Sequence, residues 1–294
     1  MPAASTRDRI VNEYRLDEDT HALILQDLVE VTKMGRCPTE APLAVVLGGQ
    51  PASGKSNLIK WCKDEYFADG NVCVVNGDEF RGAHPRSDEI HQNYESMYAE
   101  ITDADVRTWT RDVLESCVQG GYNIIFEGTM RTDAVCKTVR RMCDLGYRVV
   151  AGVMAVPYHV SFMSIYLRYL NEVKCSGHGR QVSLESHDLA YVGMPKTVRK
   201  LVEQGYCKEF VVFERLSPSK GASFVTVTSD PSAAIDRARS FFPNRRVADS
   251  LRLAGDALAK ELESLGQPGV ARSFRDRWEK VLSRRLGPNV SATR

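Results

Sequence analysis

The run Gly49-Gln50-Pro51-Ala52-Ser53-Gly54-Lys55-Ser56, a G-x-x-x-x-G-K-S pattern set directly behind the apolar stretch 43–47, constrains this chain more than any other feature. Its glycines let backbone N–H groups turn inward around phosphate oxygens. The lysine neutralises β/γ-phosphate charge and the serine hydroxyl ligates Mg²⁺. With glycine near 7% of average usage, chance alone yields the pattern in roughly one chain in a hundred of this length. An apolar strand before it and a helical period after it mark a P-loop, not a glycine-rich turn with a solvated lysine.

Short apolar runs recur at 72–75, 123–126, 148–156, 210–213 and 224–227, each suited to a strand buried on both faces. Between them lie helix-period stretches at 56–66, 88–100, 104–119, 133–145, 159–173 and 196–203. Such alternation predicts right-handed βαβ crossovers and an α/β fold of the P-loop NTPase type, its parallel sheet covered by helices on both faces. Ligands of such sheets sit at the carboxyl ends of the strands. Residues 10–36 read as an N-terminal helical layer, and 243–294 as a C-terminal helical appendage with no chemistry of its own and a frayed tail at 287–294. The P-loop domain is then 1–242.

Among 294 residues, 39 Lys+Arg oppose 38 Asp+Glu, so no global field would hold the chain on nucleic acid or an anionic membrane. Any anionic ligand must be caught locally. No run of about 18 apolar residues is present, and a cytoplasmic protein is expected. The eight cysteines are scattered without C-x-x-C or zinc spacing, as expected of reduced structural thiols.

Strand tips carry the remaining chemistry. Asp78, after the second strand, can bind Mg²⁺ through water, accept the proton of an attacking hydroxyl, or merely N-cap the next helix. Glu127, Thr129 and Arg131 leave the third strand on the same sheet edge and suit a polar acceptor with several hydroxyls; a surface turn is the plainer alternative. Arg168 lies on the helix after the fourth strand, and Arg180 on the small-residue segment Ser176-Gly177-His178-Gly179 that follows it. Lids of kinases supply such arginines to spread-out γ-phosphoryl charge. His84, before Pro85, reads as a turn residue, and His178 and His187 carry no clear role.

Three segments together resemble the zeta toxins of bacterial toxin–antitoxin systems: Leu47-Gly48-Gly49-Gln50-Pro51-x-Ser53-Gly54-Lys55-Ser56, Asn76-Gly77-Asp78-Glu79-Phe80-Arg81-x-x-His84-Pro85, and Glu127-Gly128-Thr129-x-Arg131. The likeness runs from Tyr14-Arg15-Leu16 through the helix around Arg168 and covers most of 14–213. Zeta toxins are P-loop kinases that use ATP and Mg²⁺ to phosphorylate the 3′-hydroxyl of the sugar in UDP-N-acetylglucosamine, which interferes with cell-wall precursor supply. The resemblance therefore implies ATP binding by Gly49, Gln50, Pro51, Ala52, Ser53, Gly54, Lys55, Ser56, Arg168 and Arg180, with Mg²⁺ on Ser56. It implies Asp78 as catalytic base alongside Lys55, Arg168 and Arg180, acceptor binding by Asp78, Glu127, Thr129 and Arg131, and a small antitoxin protein as partner.

Ala52 stands where many members carry glycine, which requires a negative φ there. Arg111 occupies the position of an acceptor-binding glutamate of the best-studied toxins; facing the cleft it would favour an acceptor richer in phosphate, facing solvent it would change nothing. Two other readings compete: a kinase for another nucleotide sugar, nucleotide or dinucleotide, and a non-catalytic nucleotide-binding switch. The second lacks an N-K-x-D motif and has no need of Asp78, Glu127 and Arg131 together.

Overall fold

Every residue of Leu43–Gly48 is buried, because this first strand runs through the middle of a sheet with helices on both faces. The computed structural model describes residues 6–218 and 224–283. In chain order the elements are α1 (Thr6–Glu13), α2 (Glu18–Lys33), β1 (Leu43–Gly48), α3 (Lys55–Tyr66), β2 (Cys73–Asn76), the single turn α4 (Gly77–Phe80), α5 (Ser87–Tyr94), the turn α6 (Tyr98–Ile101), α7 (Asp103–Gln119) and β3 (Ile124–Glu127). Then follow α8 (Ala134–Asp144), β4 (Arg148–Ala155), α9 (Tyr158–Ser176), α10 (Leu184–Gln204), β5 (Glu209–Glu214), β6 (Phe224–Thr228), α11 (Ser232–Ser240), α12 (Arg245–Ser264) and α13 (Pro268–Leu282).

The sheet order is β2-β3-β1-β4-β5-β6, with β1 to β5 all parallel. Alternate residues of β1 serve opposite cores, as a period of two requires. Ala44 and Val46 join Val113, Val139, Val198 and Ile235 of the helices on one face. Val45 and Leu47 join Leu58 and Cys62 of α3 on the other. The last strand departs from the expected pattern: β6 pairs antiparallel with β5 and leaves Phe224 and Val227 exposed at the sheet edge. The connection from Glu214 to Phe224 is too short for a crossover helix, so the chain can only turn back.

Other boundaries shift for local reasons. The N-terminal layer is two helices, parted where Tyr14 is buried against α5 and Asp17 caps α2 by accepting the Thr20 N–H at 2.8 Å. The stretch 88–100 breaks at a 3₁₀ turn, Glu95–Met97, and α10 starts at Leu184, with Pro195 inside it. Helices α12 and α13 do not stand apart. Leu258, Leu262, Phe274 and Trp278 share one apolar cluster with Phe162, Tyr166 and Leu170 of α9. The tail 287–294 lies outside the described residues. Among those residues no helix is long and apolar enough to cross a membrane, and no group of His, Cys, Asp and Glu could hold a metal ion.

Candidate active site

The loop between β1 and α3 takes its shape from two glycines. Gly49 has φ +152° and a Cβ there would lie 2.8 Å from Met154 Cβ; Gly54 has φ +102° and N-caps α3 without a side-chain hydrogen bond. The amides of the first turn of α3 are therefore left to an anion. Ala52 differs from expectation: its φ is +58°, in the left-handed region, at a cost of roughly 1–2 kcal/mol for an L-residue. The surroundings hold it there. Arg215 Nη1 donates to the Ala52 carbonyl at 3.1 Å and the methyl packs against the α9 cluster.

Lys55 extends back along the loop, donating Nζ to the Gly49 carbonyl at 3.1 Å and the Gln50 carbonyl at 3.4 Å, and lies 3.6 Å from Glu127 Oε1. Burial pushes the ammonium toward its neutral form while Glu127 and Asp78 oppose that; burial likewise pushes the Glu127 carboxyl above its usual range. The sheet register explains the meeting. Leu47, Glu127 and Asn76 lie abreast on β1, β3 and β2, so the three strand tips open into one cleft.

Asp78 does not cap α4. Asn76 does, accepting the Asp78 N–H at 3.1 Å, which leaves the Asp78 carboxylate free to meet Arg180 Nη1 at 3.0 Å and Arg81 Nε at 3.2 Å. Partial burial resists ionisation of this carboxyl, but the two guanidinium groups outweigh it and hold its pKa low. Arg168 projects from α9, with Nε 3.5 Å from Glu172 Oε1. Its buried Nε and Nη2, and the buried Ser53 hydroxyl, find no hydrogen-bond partner among the described residues. Burial first, then the nearby Arg180, lowers the Arg168 pKa. Unsatisfied donors facing a glycine-rich loop fit a phosphate chain, and the exposed Ser56 hydroxyl, at the start of α3, fits its Mg²⁺.

A cleft of about 670 Å³ is lined by Gly54, Lys55, Ser56, Glu127, Arg168 and Arg215, among others. Asp78 and Arg180 join each other close by. Thr129 and Arg131 are not brought into that lining: the Thr129 carbonyl accepts the Gly49 N–H at 3.3 Å, and the Arg131 side chain is exposed. Gln50 is fully buried, its side chain turned inward, so only its backbone serves the loop. Arg111 faces solvent and pairs with Asp112. His84 spends both ring nitrogens on backbone, Nε2 on the Tyr14 carbonyl and Nδ1 on the Arg86 N–H. Arg215 escaped the sequence reading, although its place just past β5 obeys the same strand-tip rule that singled out Asp78 and Glu127.

Strand order β2-β3-β1-β4-β5, a P-loop behind β1, arginines around the cleft and acids at the two neighbouring strand tips define a P-loop protein of the phosphotransferase class. Within that class the chain belongs to the zeta toxin family, whose sequence model matches residues 27–221. Toxin zeta of Enterococcus hirae is 29% identical over 215 residues, 72% of this chain and 74% of that protein. Toxin PezT of Streptococcus pneumoniae is 28% identical over 208 residues, 70% and 78% of the two chains. The solved PezAT toxin–antitoxin system of S. pneumoniae superposes with a TM-score of 0.67 at 20% identity, covering 86% of this chain and 98% of that one. The AvrRxo1-ORF1:-ORF2 complex with ATP superposes with a TM-score of 0.55 at 14% identity, over 96% and 94%. These two likenesses carry the fold alone.

Proposed function

We propose that this chain is an ATP-dependent kinase that phosphorylates a sugar hydroxyl of UDP-N-acetylglucosamine in the cytoplasm, and that it is the toxin of a toxin–antitoxin pair. The observation that carries the kinase reading is the Asp78 carboxylate on the strand tip next to the Lys55–Glu127 pair, 3.0 Å from Arg180. In this reading the Gly49–Ser56 backbone and Lys55 hold the phosphate chain, and Arg168 and Arg180 take the γ-phosphate oxygens. Ser56 would hold Mg²⁺, which neutralises phosphate charge when bound. Asp78 orients the acceptor hydroxyl and takes its proton as the new O–P bond forms and the bond to ADP breaks. Arg180 shifting from Asp78 to phosphate raises the basicity of Asp78 at the moment it is needed. Glu127 accepts hydrogen bonds from the sugar, and Thr129 and Arg131 contact the remaining polar groups of the acceptor.

Membership of the zeta toxin family and relatives named as toxins support the toxin role. A fold neighbour solved with ATP and one solved as a toxin–antitoxin system support the nucleotide and the antitoxin partner. With Arg111 in solvent, no added positive charge argues for a more phosphorylated acceptor. The test is mass spectrometry of a panel of UDP-sugars and nucleotides incubated with enzyme and ATP·Mg²⁺. UDP-N-acetylglucosamine gains one phosphoryl group with the wild type and none with Asp78→Asn, which still binds ATP·Mg²⁺ by calorimetry. Phosphorylation of a different compound alone overturns the acceptor; no product from any of them overturns the kinase reading.

A further inference from the structure

A chain of buried polar side chains runs from the C-terminal hairpin to the P-loop. Arg277 of α13 pairs with Asp188 Oδ2 on α10, and Asp188 Oδ1 accepts from Tyr158 OH at 2.7 Å and stands 3.2 Å from His187 Nδ1. His187 Nε2 lies 2.9 Å from Ser161 Oγ on α9, and Ser161 Oγ accepts from Gln50 Nε2 at 3.1 Å. The Gln50 carbonyl, in turn, is one of the two on which the Lys55 ammonium rests. Gln50, Ser161 and His187 have no solvent exposure and Asp188 has 4%.

Aspartate, histidine and serine in this order form the connectivity of a hydrolytic triad, but no substrate can reach a serine with no exposed surface. The chain therefore orients groups. A carboxylate only accepts, so it assigns the proton to His187 Nδ1. The bare Nε2, at 2.9 Å, then competes with the Tyr158 carbonyl, at 3.2 Å, for the Ser161 proton, and the Ser161 oxygen accepts from the Gln50 amide. Burial holds His187 toward the neutral form this requires. The His187 tautomer, and with it the direction of the Ser161 hydroxyl, depends on an ionised Asp188, which Arg277 helps to sustain beside the bonds from His187 and Tyr158.

We propose that Arg277 is a positioning residue for the nucleotide site, acting on the P-loop through Asp188, His187, Ser161 and Gln50. The inference rests on the nucleotide reading of the P-loop above. It gives the hairpin, which lies beyond the matched residues 27–221, a part in that site. Packing supports it: Phe274 and Trp278 flank Arg277 on α13 and stack on Phe162, the neighbour of Ser161, with centroids 5.9 and 6.0 Å away. Without Arg277 a carboxylate with only 5% of its side chain exposed is left beside a neutral histidine and must take up a proton or water. The Gln50 amide then keeps its 3.4 Å contacts to the Val156 carbonyl and Arg239 Nη2 but loses its 3.1 Å anchor on Ser161.

The experiment uses the full chain as wild type, Arg277→Met, Arg277→Lys, Ser161→Ala and the Arg277→Met/Ser161→Ala double variant. ATP·Mg²⁺ affinity is measured by calorimetry, and hydrogen exchange is followed in the peptide 48–56 without nucleotide. Failure of the wild type to bind overturns the nucleotide reading, whereas the exchange data bear on the relay in either case. Arg277→Met and Ser161→Ala are each expected to weaken binding about five- to tenfold and speed P-loop exchange, the double no more than the more affected of the two, since both break one chain. Arg277→Lys restores most of the affinity. Multiplying losses in the double variant, or native exchange and affinity in Ser161→Ala, overturn the proposal. The Ser161→Ala result decides even if Arg277→Met does not fold.

Discussion

Acid should destabilise this fold in part through a buried histidine of α9. His159 sits in the first turn of α9, 3% exposed, with the Phe241 and Phe242 rings 6.5 and 5.9 Å from its own. Burial alone pushes its pKa down to about 4, against an ordinary 6.5. The unfolded chain therefore takes up this proton near pH 6.5 and the folded protein only near 4. Between those values the unfolded state binds more protons, so stability falls as pH falls and the loss is complete near pH 4. A separation of about 2.5 pH units at about 1.4 kcal/mol each amounts to about 3 kcal/mol. His91 and His187, also lowered by burial, add loss of the same sign. The assay is urea unfolding of the wild type and His159→Leu at several values from about pH 7.5 to about pH 4.5, comparing slopes and not absolute stabilities. The leucine variant should lose about 2.5 kcal/mol less over that span, which stops short of the folded-state pKa. Parallel pH profiles for the two proteins would refute the assignment of the loss to His159.

Two further outcomes follow from the site. Lys55→Met should leave the circular dichroism spectrum and melting behaviour close to wild type while removing phosphoryl transfer by several kcal/mol of transition-state stabilisation, on the order of a thousandfold in kcat. Gly193→Ala should lower Tm and raise the acceptor KM more than the ATP KM, since α10 also carries His187 and Asp188. A Cβ at Gly193 would lie 2.0 Å from the Arg131 carbonyl, so α10 must move off the loop after β3 at a cost of about 1–3 kcal/mol. Equal changes in both KM values would mean that this loop shapes the nucleotide site as well.

What was legible in the sequence is what local chemistry dictates. The β1–loop–α3 unit is readable because a strand, a turn and a helix adjacent in the chain need no distant partner to take shape. Asp78 and Glu127 were readable because each closes an apolar run, and parallel strands bring their ends together. Other features depended on contacts far apart in the chain. The left-handed backbone of Ala52 is stabilised by Arg215, and the direction of β6 by the length of its connection. The segment 243–294 carries an amphipathic pattern that reveals helices but not their partner, and only the fold brings Trp278 onto Phe162. Likewise Gln50 reads as a loop residue, while its side chain belongs to a network more than a hundred residues away.

The electrostatics of the cleft explain why these residues are gathered at some expense to the fold. Burial pushes Lys55, Arg168 and Arg215 toward their neutral forms, and Arg180 adds repulsion to Arg168. Burial also pushes the Glu127 carboxyl up. A site arranged for stability alone would match each cation with its own carboxylate at close range. Here Lys55 stands 3.6 Å from Glu127 and Arg168 3.5 Å from Glu172, and two buried donors of Arg168 find no hydrogen-bond acceptor among the described residues. In the proposed reading a polyphosphate would supply what is missing: several anionic oxygens for guanidinium and ammonium donors already desolvated. On the same reading, part of the binding free energy would be relief of cation repulsion built into the folded state, and Arg180, paired with Asp78 here, would move to the phosphate as the stronger anion.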